Sequence, residues 1–337
     1  MSIRKTILLL LVFLLFSTTF ILTGCTSLKR DALEGDALLA VVVEGGLTGA
    51  VKPMLTESLE RIVNTPQAEQ RFYLKYVKDD SLGRVSRWSN VLLVGTLDSE
   101  DAVSQRVKRM LNDETLQGVQ EGKFRVFRQK DVWAKGQTVV VLVAPNEAEL
   151  TDWLLTNKSE VYEYFASDRY DRMKRKLYSL YEQKSLSDSL QTVHGWHLRI
   201  PHDFGLVNSN VDPNYVRFRR MYPDRFLTVG WKYGYTGELN KELYIEWRNE
   251  VGKTFADEAI VNPQLMVTEK VKIAGYDALK IHGLWETTGI LGGGPFVGYL
   301  LQKEEFVYFL DGQVFAPDRS KEMYIRQLEI ILTTFKP

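Results

Sequence analysis

The chain has 337 residues, with 43 lysines and arginines balanced by 43 aspartates and glutamates, and a single cysteine. That balance argues against a strongly basic nucleic-acid-binding surface, and one cysteine excludes an internal disulfide framework or a multi-thiolate metal centre. The length allows one or two ordinary hydrophobic cores, and aromatic residues at 12% suit an extensive β core.

At the N-terminus Arg4 and Lys5 form a positive segment, and Ile7 to Phe16 is an unbroken apolar run, the pattern of a secretion signal over residues 1–24. An uncleaved membrane anchor is the competing reading, because the apolar stretch nears bilayer-spanning length. Ser17, Thr18, Thr19 and Thr23 weaken its second half. The order Leu22-Thr23-Gly24-Cys25 resembles the lipobox of bacterial lipoproteins. The resemblance implies cleavage before Cys25, lipidation of Cys25 and residence in the cell envelope on a lipid anchor. Two or more acyl chains anchor stably where one does not. Thr26, standing where an Asp would retain the protein in the inner membrane, implies the outer membrane. Loss of Arg4 and Lys5 leaves a formal charge of about −2 and no free thiol.

Residues 25–36 read as the lipidated cysteine and a polar tether. From Ala37 the pattern is globular, and residues 37–184 read as an N-terminal α+β domain. Ala37 to Val43 is a continuous apolar strand, Pro53 is placed in a first helical turn, and Leu55, Leu59, Ile62 and Val63 follow at helical spacing. Arg71 to Val77 alternates like a half-buried strand, and Asn90 to Leu97 reads as a buried one. Asp98 is placed as the cap of a helix bearing Val103, Val107, Met110 and Leu111. Two further strands precede Asn146, whose pairing with Glu149 predicts the cap of one long helix to about Gln183. Ser167 to Lys176 reads as its exposed end. The order is β-α-β-β-α-β-β-α, with helices covering one sheet.

Ser185 to Thr192 breaks both periodicities and reads as a linker. Residues 193–337 then form a more β-rich C-terminal α+β domain, opening with a strand over Trp196 to Phe204. Tyr215 to Tyr233 gives two strands joined at Tyr222-Pro223-Asp224-Arg225; Leu227, Val229, Trp231 and Tyr233 share one face of the second. A helix carries Leu243, Trp247, Val251 and Phe255 inward. Further strands lead through the Gly292-Gly293-Gly294-Pro295 loop to a hairpin apolar on both faces, the signature of a sheet centre. The closing helix bears Tyr324, Leu328, Ile331, Leu332 and Phe335 on one stripe. The fold class is α+β, two layer-sandwich halves with mainly antiparallel sheets.

The whole mature chain resembles an uncharacterised family of Bacteroidota lipoproteins, the domain-of-unknown-function family numbered 4837, on four stretches. They are Arg217 to Trp231, Glu246 to Val251, His282 to Trp285 with Gly293 to Tyr299, and Phe315 to Leu332. That family supplies no activity. Residues 195–337, with an Ile-Pro-His-Asp-Phe opening, a Gly-Tyr-Asp-Ala-Leu strand and a closing helix ending Ile-Leu-Thr-Thr-Phe, are similar to the PsbP-type α/β/α sandwich. That resemblance implies a binding or assembly module.

The chemistry-bearing residues are sparse. The glycines at 292–294 lead into Pro295 and a strand, not a helix N-terminus, so they read as a tight turn and not a phosphate cradle. His194 and His197 would point to opposite faces of a strand, and no metal-binding or catalytic spacing stands out among the four histidines. No nucleophile elbow occurs. Arg217, Arg219, Arg220 and Arg225 interleave with Tyr215, Phe218, Tyr222 and Phe226, which suits either a solvated strand face paired with neighbouring acids or recognition of an anionic glycan, a lipid headgroup or a partner protein; export argues against nucleic acid. The binding candidates are therefore Arg217, Arg219, Trp231, Trp285 and Phe296, with no catalytic residue, metal or cofactor assigned. The expected function is a lipid-anchored envelope module that binds a partner protein or an anionic envelope polymer. Two alternatives are a glycan or peptide hydrolase using dispersed carboxylates, and a carrier with an apolar cavity lined by Trp231, Trp285 and Phe296.

Overall fold

The computed structural model describes residues 29–33, 35–63, 65–157, 159–207, 214–255, 259–287 and 292–337. The signal segment and Cys25 lie outside them.

The N-terminal half runs β1 (Leu38–Val42), α1 (Gly45–Leu59), a small hairpin of β2 (Ile62–Val63) and β3 (Glu69–Gln70), β4 (Tyr73–Val77) and α2 (Leu82–Val85). It continues with β5 (Asn90–Thr96), α3 (Ala102–Met110), α4 (Asp113–Gln120), β6 (Val126–Lys130), β7 (Thr138–Ala144), α5 (Glu147–Thr156) and α6 (Glu160–Tyr178). Its sheet has the order β4-β1-β5-β7-β6. β1 pairs parallel with both β4 and β5, β5 pairs parallel with β7, and only β6 runs antiparallel at the edge. The α+β class holds for the chain, but in this half the expected antiparallel pairing is replaced by a mainly parallel sheet. The cause is visible in β1, β5 and β7, whose unbroken apolar runs are buried on both faces, as parallel strands with crossover helices require. α1, α5 and α6 cover one face, and α2, α3 and α4 the other.

Local chemistry shifts several boundaries. α1 begins at Gly45, so Pro53 sits inside it and not in its first turn. α3 is capped by Asp101, whose carboxylate accepts from Ser104 N at 2.7 Å; Asp98 lies outside the helix. Asn146 does cap α5, accepting from Glu149 N at 2.9 Å. The expected single long helix is two, because Asn157 turns back to the Trp153 carbonyl and ends α5. The expected linker is a helix, α7 (Lys184–His194), closed by left-handed Gly195; Leu190 and Ser187 on its inner side are buried.

The C-terminal half follows with β8 (Gly205–Val207), β9 (Tyr215–Arg220), β10 (Asp224–Tyr233), α8 (Lys241–Phe255) and β11 (Ala259–Val261). Then come β12 (Val267–Ile273), β13 (Tyr276–Thr287), β14 (Gly293–Lys303), β15 (Phe306–Phe315) and α9 (Glu322–Leu332). The expected strand over Trp196 to Phe204 is extended chain. His197 bridges Lys336 at the chain's end, while Trp196, Leu198, Ile200 and Phe204 fill the core. The antiparallel sheet has the order β11-β13-β14-β15-β10-β9-β8, with β12 sharing the outer edge of β13. β14 and β15 are its centre, buried almost end to end. α9 covers one face through Leu328, Ile331 and Leu332, with Leu310 and Val314 beneath. α8 covers the other through Tyr244, Trp247 and Val251, with Phe296 and Phe309 beneath. This is the helix–sheet–helix layering that the PsbP-type resemblance implies.

The glycines opening β14 serve close approach and do not form a turn. A Cβ on Gly294 would overlap the Val314 carbonyl, and one on Gly298 would overlap the Tyr244 hydroxyl. Among the described residues no helix is long and apolar enough to cross a membrane.

Candidate functional site

The two halves meet at a polar seam. The small β2–β3 hairpin carries Glu69 to the N-terminus of α9, where Lys321 offers no side-chain cap. Glu69 takes that role from the other half of the chain. Its carboxylate accepts from the backbone N–H of Lys321 at 2.8 Å and Glu322 at 2.7 Å, and from the hydroxyls of Ser320 and Thr65. Burial works to raise its pKa, but these hydrogen bonds outweigh burial and hold the carboxyl below its ordinary range.

Glu322, the first residue of α9, reaches back the other way. It accepts from Arg71 at 3.1 Å and from two nitrogens of Arg169, at 3.1 and 2.6 Å. Arg169 also donates to the Arg71 carbonyl at 2.9 Å and lies over the Phe72 ring. Arg169 and Glu322 are both at most 5% exposed, so this ion pair is desolvated. Ser167 to Lys176, expected as an exposed helix end, is therefore two-faced, with Asp168 and Arg169 buried.

Beside the pair, a cleft of about 150 Å³ opens between the halves, lined by Ile62 and Arg71 from one and by Lys280, His282, Ile325 and Glu329 from the other. Lys280 pairs with Glu329 at 2.5 Å, and Arg326 pairs with the same carboxylate at 3.1 Å. Burial, then the neighbouring Lys280, holds the His282 imidazole below its ordinary value, so it is neutral at pH 7. The cleft combines two ion-paired cations, Arg71 and Lys280, with the Glu329 carboxylate, a neutral imidazole and apolar side chains.

The residues expected to bind are scattered. Arg217 is buried, 3.3 Å from the Gln313 side-chain oxygen and over Phe226. Arg219 is exposed and paired with Asp224 at 2.9 Å. Arg225 is 1% exposed and donates to Gln327; burial, then the nearby Arg220, lowers its pKa to about 10. Trp231 packs on the α9 side against Trp196 and His194. Trp285 and Phe296 are buried on the α8 side. Trp231 cannot share a cavity with the other two, because the sheet stands between them, which overturns the carrier geometry.

His194 is the last residue of α7 and His197 lies in extended chain, so the expected strand placement fails for both. Among the described residues no group of three or more His, Cys, Asp or Glu is arranged to hold a metal ion. The buried acid Asp311 accepts from Tyr244 at 2.6 Å and faces Arg248 at 3.7 Å, a polar core beneath α8. In the parallel sheet, the chain order reverses between β1 and β5, where open α/β sheets place ligands beyond the carboxyl ends. The residues following those strands include Glu44 and Asp98, which disfavour an anion there.

Glu69, Arg71, Arg169 and Glu322 were not legible as a site, since they are brought together from three distant stretches. The nearest signal was a Ser-Lys-Glu helix start at residues 320–322 without an acidic or amide cap of its own.

No curated protein matches this sequence. Among solved structures, one from Bacteroides thetaiotaomicron VPI-5482 aligns over 42% of this chain and 44% of its own at 12% identity, with a TM-score of 0.26. A point mutant of protein Mog1 aligns over 42% and 89% at 11% identity and 0.29. LpqN, described as involved in cell envelope biogenesis of Mycobacterium tuberculosis, aligns over 42% and 83% at 15% identity and 0.23. At such scores these likenesses carry no functional weight. Residues 36–178 match the family model described as a domain of unknown function (DUF8532). Residues 183–334 match that described as a domain of unknown function (DUF4837), which confines the likeness to family 4837 to the C-terminal half.

Proposed function

We propose that this chain is a lipid-anchored protein of the cell envelope that works as a binding or assembly module, holding a segment of a partner protein at the seam between its halves. The anchoring rests on Leu22-Thr23-Gly24-Cys25 after an apolar run, and Thr26 favours the outer membrane. One observation carries the binding reading: a cleft built by both halves, with Arg71, Lys280 and His282 at its wall. Ligand sites recur at such junctions. At about 150 Å³ the cleft is well below the roughly 300–1,000 Å³ of small-molecule pockets. It suits one acidic side chain or a terminal carboxylate of a protein.

Two experiments test this. A Cys25→Ala variant expressed in cells loses acyl labelling and signal processing; normal processing of that variant sinks the anchoring. Affinity capture from membranes, with the wild-type chain beside a His282→Ala/Lys280→Glu variant, yields a reproducible partner that the variant retains at least tenfold less well. Equal recovery by both removes the cleft from the reading.

A further inference from the structure

We propose that the amino end of the parallel sheet is a membrane-facing surface whose basic pocket takes the phosphate of an anionic lipid headgroup. The inference rests on the lipid-anchor reading above and adds an orientation and a ligand. Residues 29–33, expected as loose tether, are docked. Ala32 N donates to the Lys135 carbonyl at 2.8 Å, Lys135 N to the Arg30 carbonyl at 3.0 Å, and Leu33 N to the Arg87 carbonyl at 2.6 Å. The Lys29 ammonium reaches the Asp131 carbonyl at 2.5 Å. Lys29 stands four positions after Cys25, and four extended steps of chain span at most about 14 Å. A lipidated Cys25 therefore holds this pole of the protein, and no other, against the bilayer surface.

The pole is built for anions. The β6–β7 turn and the second half of α6 enclose a pocket of about 320 Å³ lined by Lys130, Lys135, Arg172 and Arg175, with Asp131 and Asp168 as the only acids among its described lining residues. Both acids are already engaged. Asp168 is 4% exposed, bonded to Thr138 at 3.0 Å and Lys130 at 2.8 Å. Asp131 caps Gly136 N at 2.5 Å. Arg172 is spent on Asp36, Asn90 and Thr138, which fixes the wall. Lys135 and Arg175 are exposed and have no carboxylate partner among the described residues, so they are the groups that meet a headgroup phosphate. Half-buried Trp133 in the same turn is a residue type that favours the bilayer interface.

The test uses the full acylated protein in phosphatidylcholine vesicles with and without phosphatidylglycerol, reading amide hydrogen exchange in residues 131–137. The expected result is slower exchange with phosphatidylglycerol, lost in Lys135→Glu/Arg175→Glu and kept in Lys135→Arg/Arg175→Lys. Each cation near an anionic surface strengthens contact about fivefold, so the reversal weakens it by more than ~25-fold. Exchange indifferent to phosphatidylglycerol, or a difference surviving the charge reversal, overturns the pocket while leaving the anchor intact. Slowing by inorganic phosphate alone assigns the site to free phosphate and overturns the lipid. A wild-type protein that fails to float with phosphatidylcholine vesicles breaks the anchor and this orientation together.

Discussion

The molecule has two polar clusters at its N-terminal half, and they are organised in opposite ways. Beside the seam cleft, buried charges are matched across the two halves: Glu69 on the α9 backbone, Glu322 between Arg71 and Arg169. At the amino end of the parallel sheet, the two pocket acids are consumed by fixed partners, leaving Lys135 and Arg175 to solvent. Matched, desolvated charge holds a structure in one arrangement, whereas surplus charge facing water is available to a ligand. The buried pairs beside the seam cleft are therefore read as what makes one body of two halves, and the pole as a surface whose charge is kept open.

Breaking the seam should cost most. In Glu322→Ala, Arg169 stays buried without its carboxylate, a defect of about 3–5 kcal/mol. Chemical denaturation should show a large fall in midpoint, with the two halves unfolding separately. An Arg169→Met/Glu322→Leu double variant should recover much of that loss, because removing both charges removes the desolvation cost as well. A single variant as stable as the wild type would show that the pair is not desolvated, and the contrast with the pole would collapse.

Glu69 gives a smaller, pH-dependent effect. Its folded pKa lies below the ordinary 4.5, so its contribution is fully present above about pH 4.5 and is lost as pH falls through the folded value. Glu69→Gln keeps the shape but loses the charge-assisted bonds, at a cost of about 1–3 kcal/mol. The midpoint difference between wild type and Glu69→Gln should shrink as pH drops below 4.5 and be flat above pH 6 within roughly 0.5 kcal/mol. A difference unchanged in acid would remove the carboxylate from the cap.

How much of this could be read beforehand follows from the range of the interactions. The β14–β15 hairpin was legible as a sheet centre, because burial on both faces is written in consecutive residues. The unbroken apolar runs of β1, β5 and β7 carry the same signal of two-sided burial, but strand direction depends on partners far along the chain, and no run states it alone. The α7 segment misled because its Ser-rich sequence has turn propensity, which tertiary packing of Leu190 overrides. Arg169 looked like a surface charge since its partner lies 153 residues away. The glycines at 292–294 read as a tight turn, because a glycine alone does not say whether it serves a turn or a close approach; the structure shows Val314 against Gly294 and Tyr244 against Gly298. The seam was invisible for the same reason, since no local pattern encodes a cap supplied from another half of the chain.

The smallest stability effect belongs to the pole, and its smallness sharpens the comparison. Lys135 and Arg175 hold no described ion pair, so Lys135→Glu/Arg175→Glu should change the denaturation midpoint by no more than about 0.5 kcal/mol. Reduced repulsion among Lys130, Lys135, Arg172 and Arg175 in one pocket should set the sign toward slight stabilisation. The salt dependence should be the more telling readout. The four cations of the pocket outnumber its two acids, and their mutual repulsion at low ionic strength is screened within about 8–10 Å at physiological salt. Wild-type stability should therefore rise modestly with salt from low ionic strength, and the charge-reversed variant should lack that rise. A double variant several kcal/mol less stable than the wild type would mean that these cations support the fold as Arg169 does, and the distinction between matched and open charge would fail.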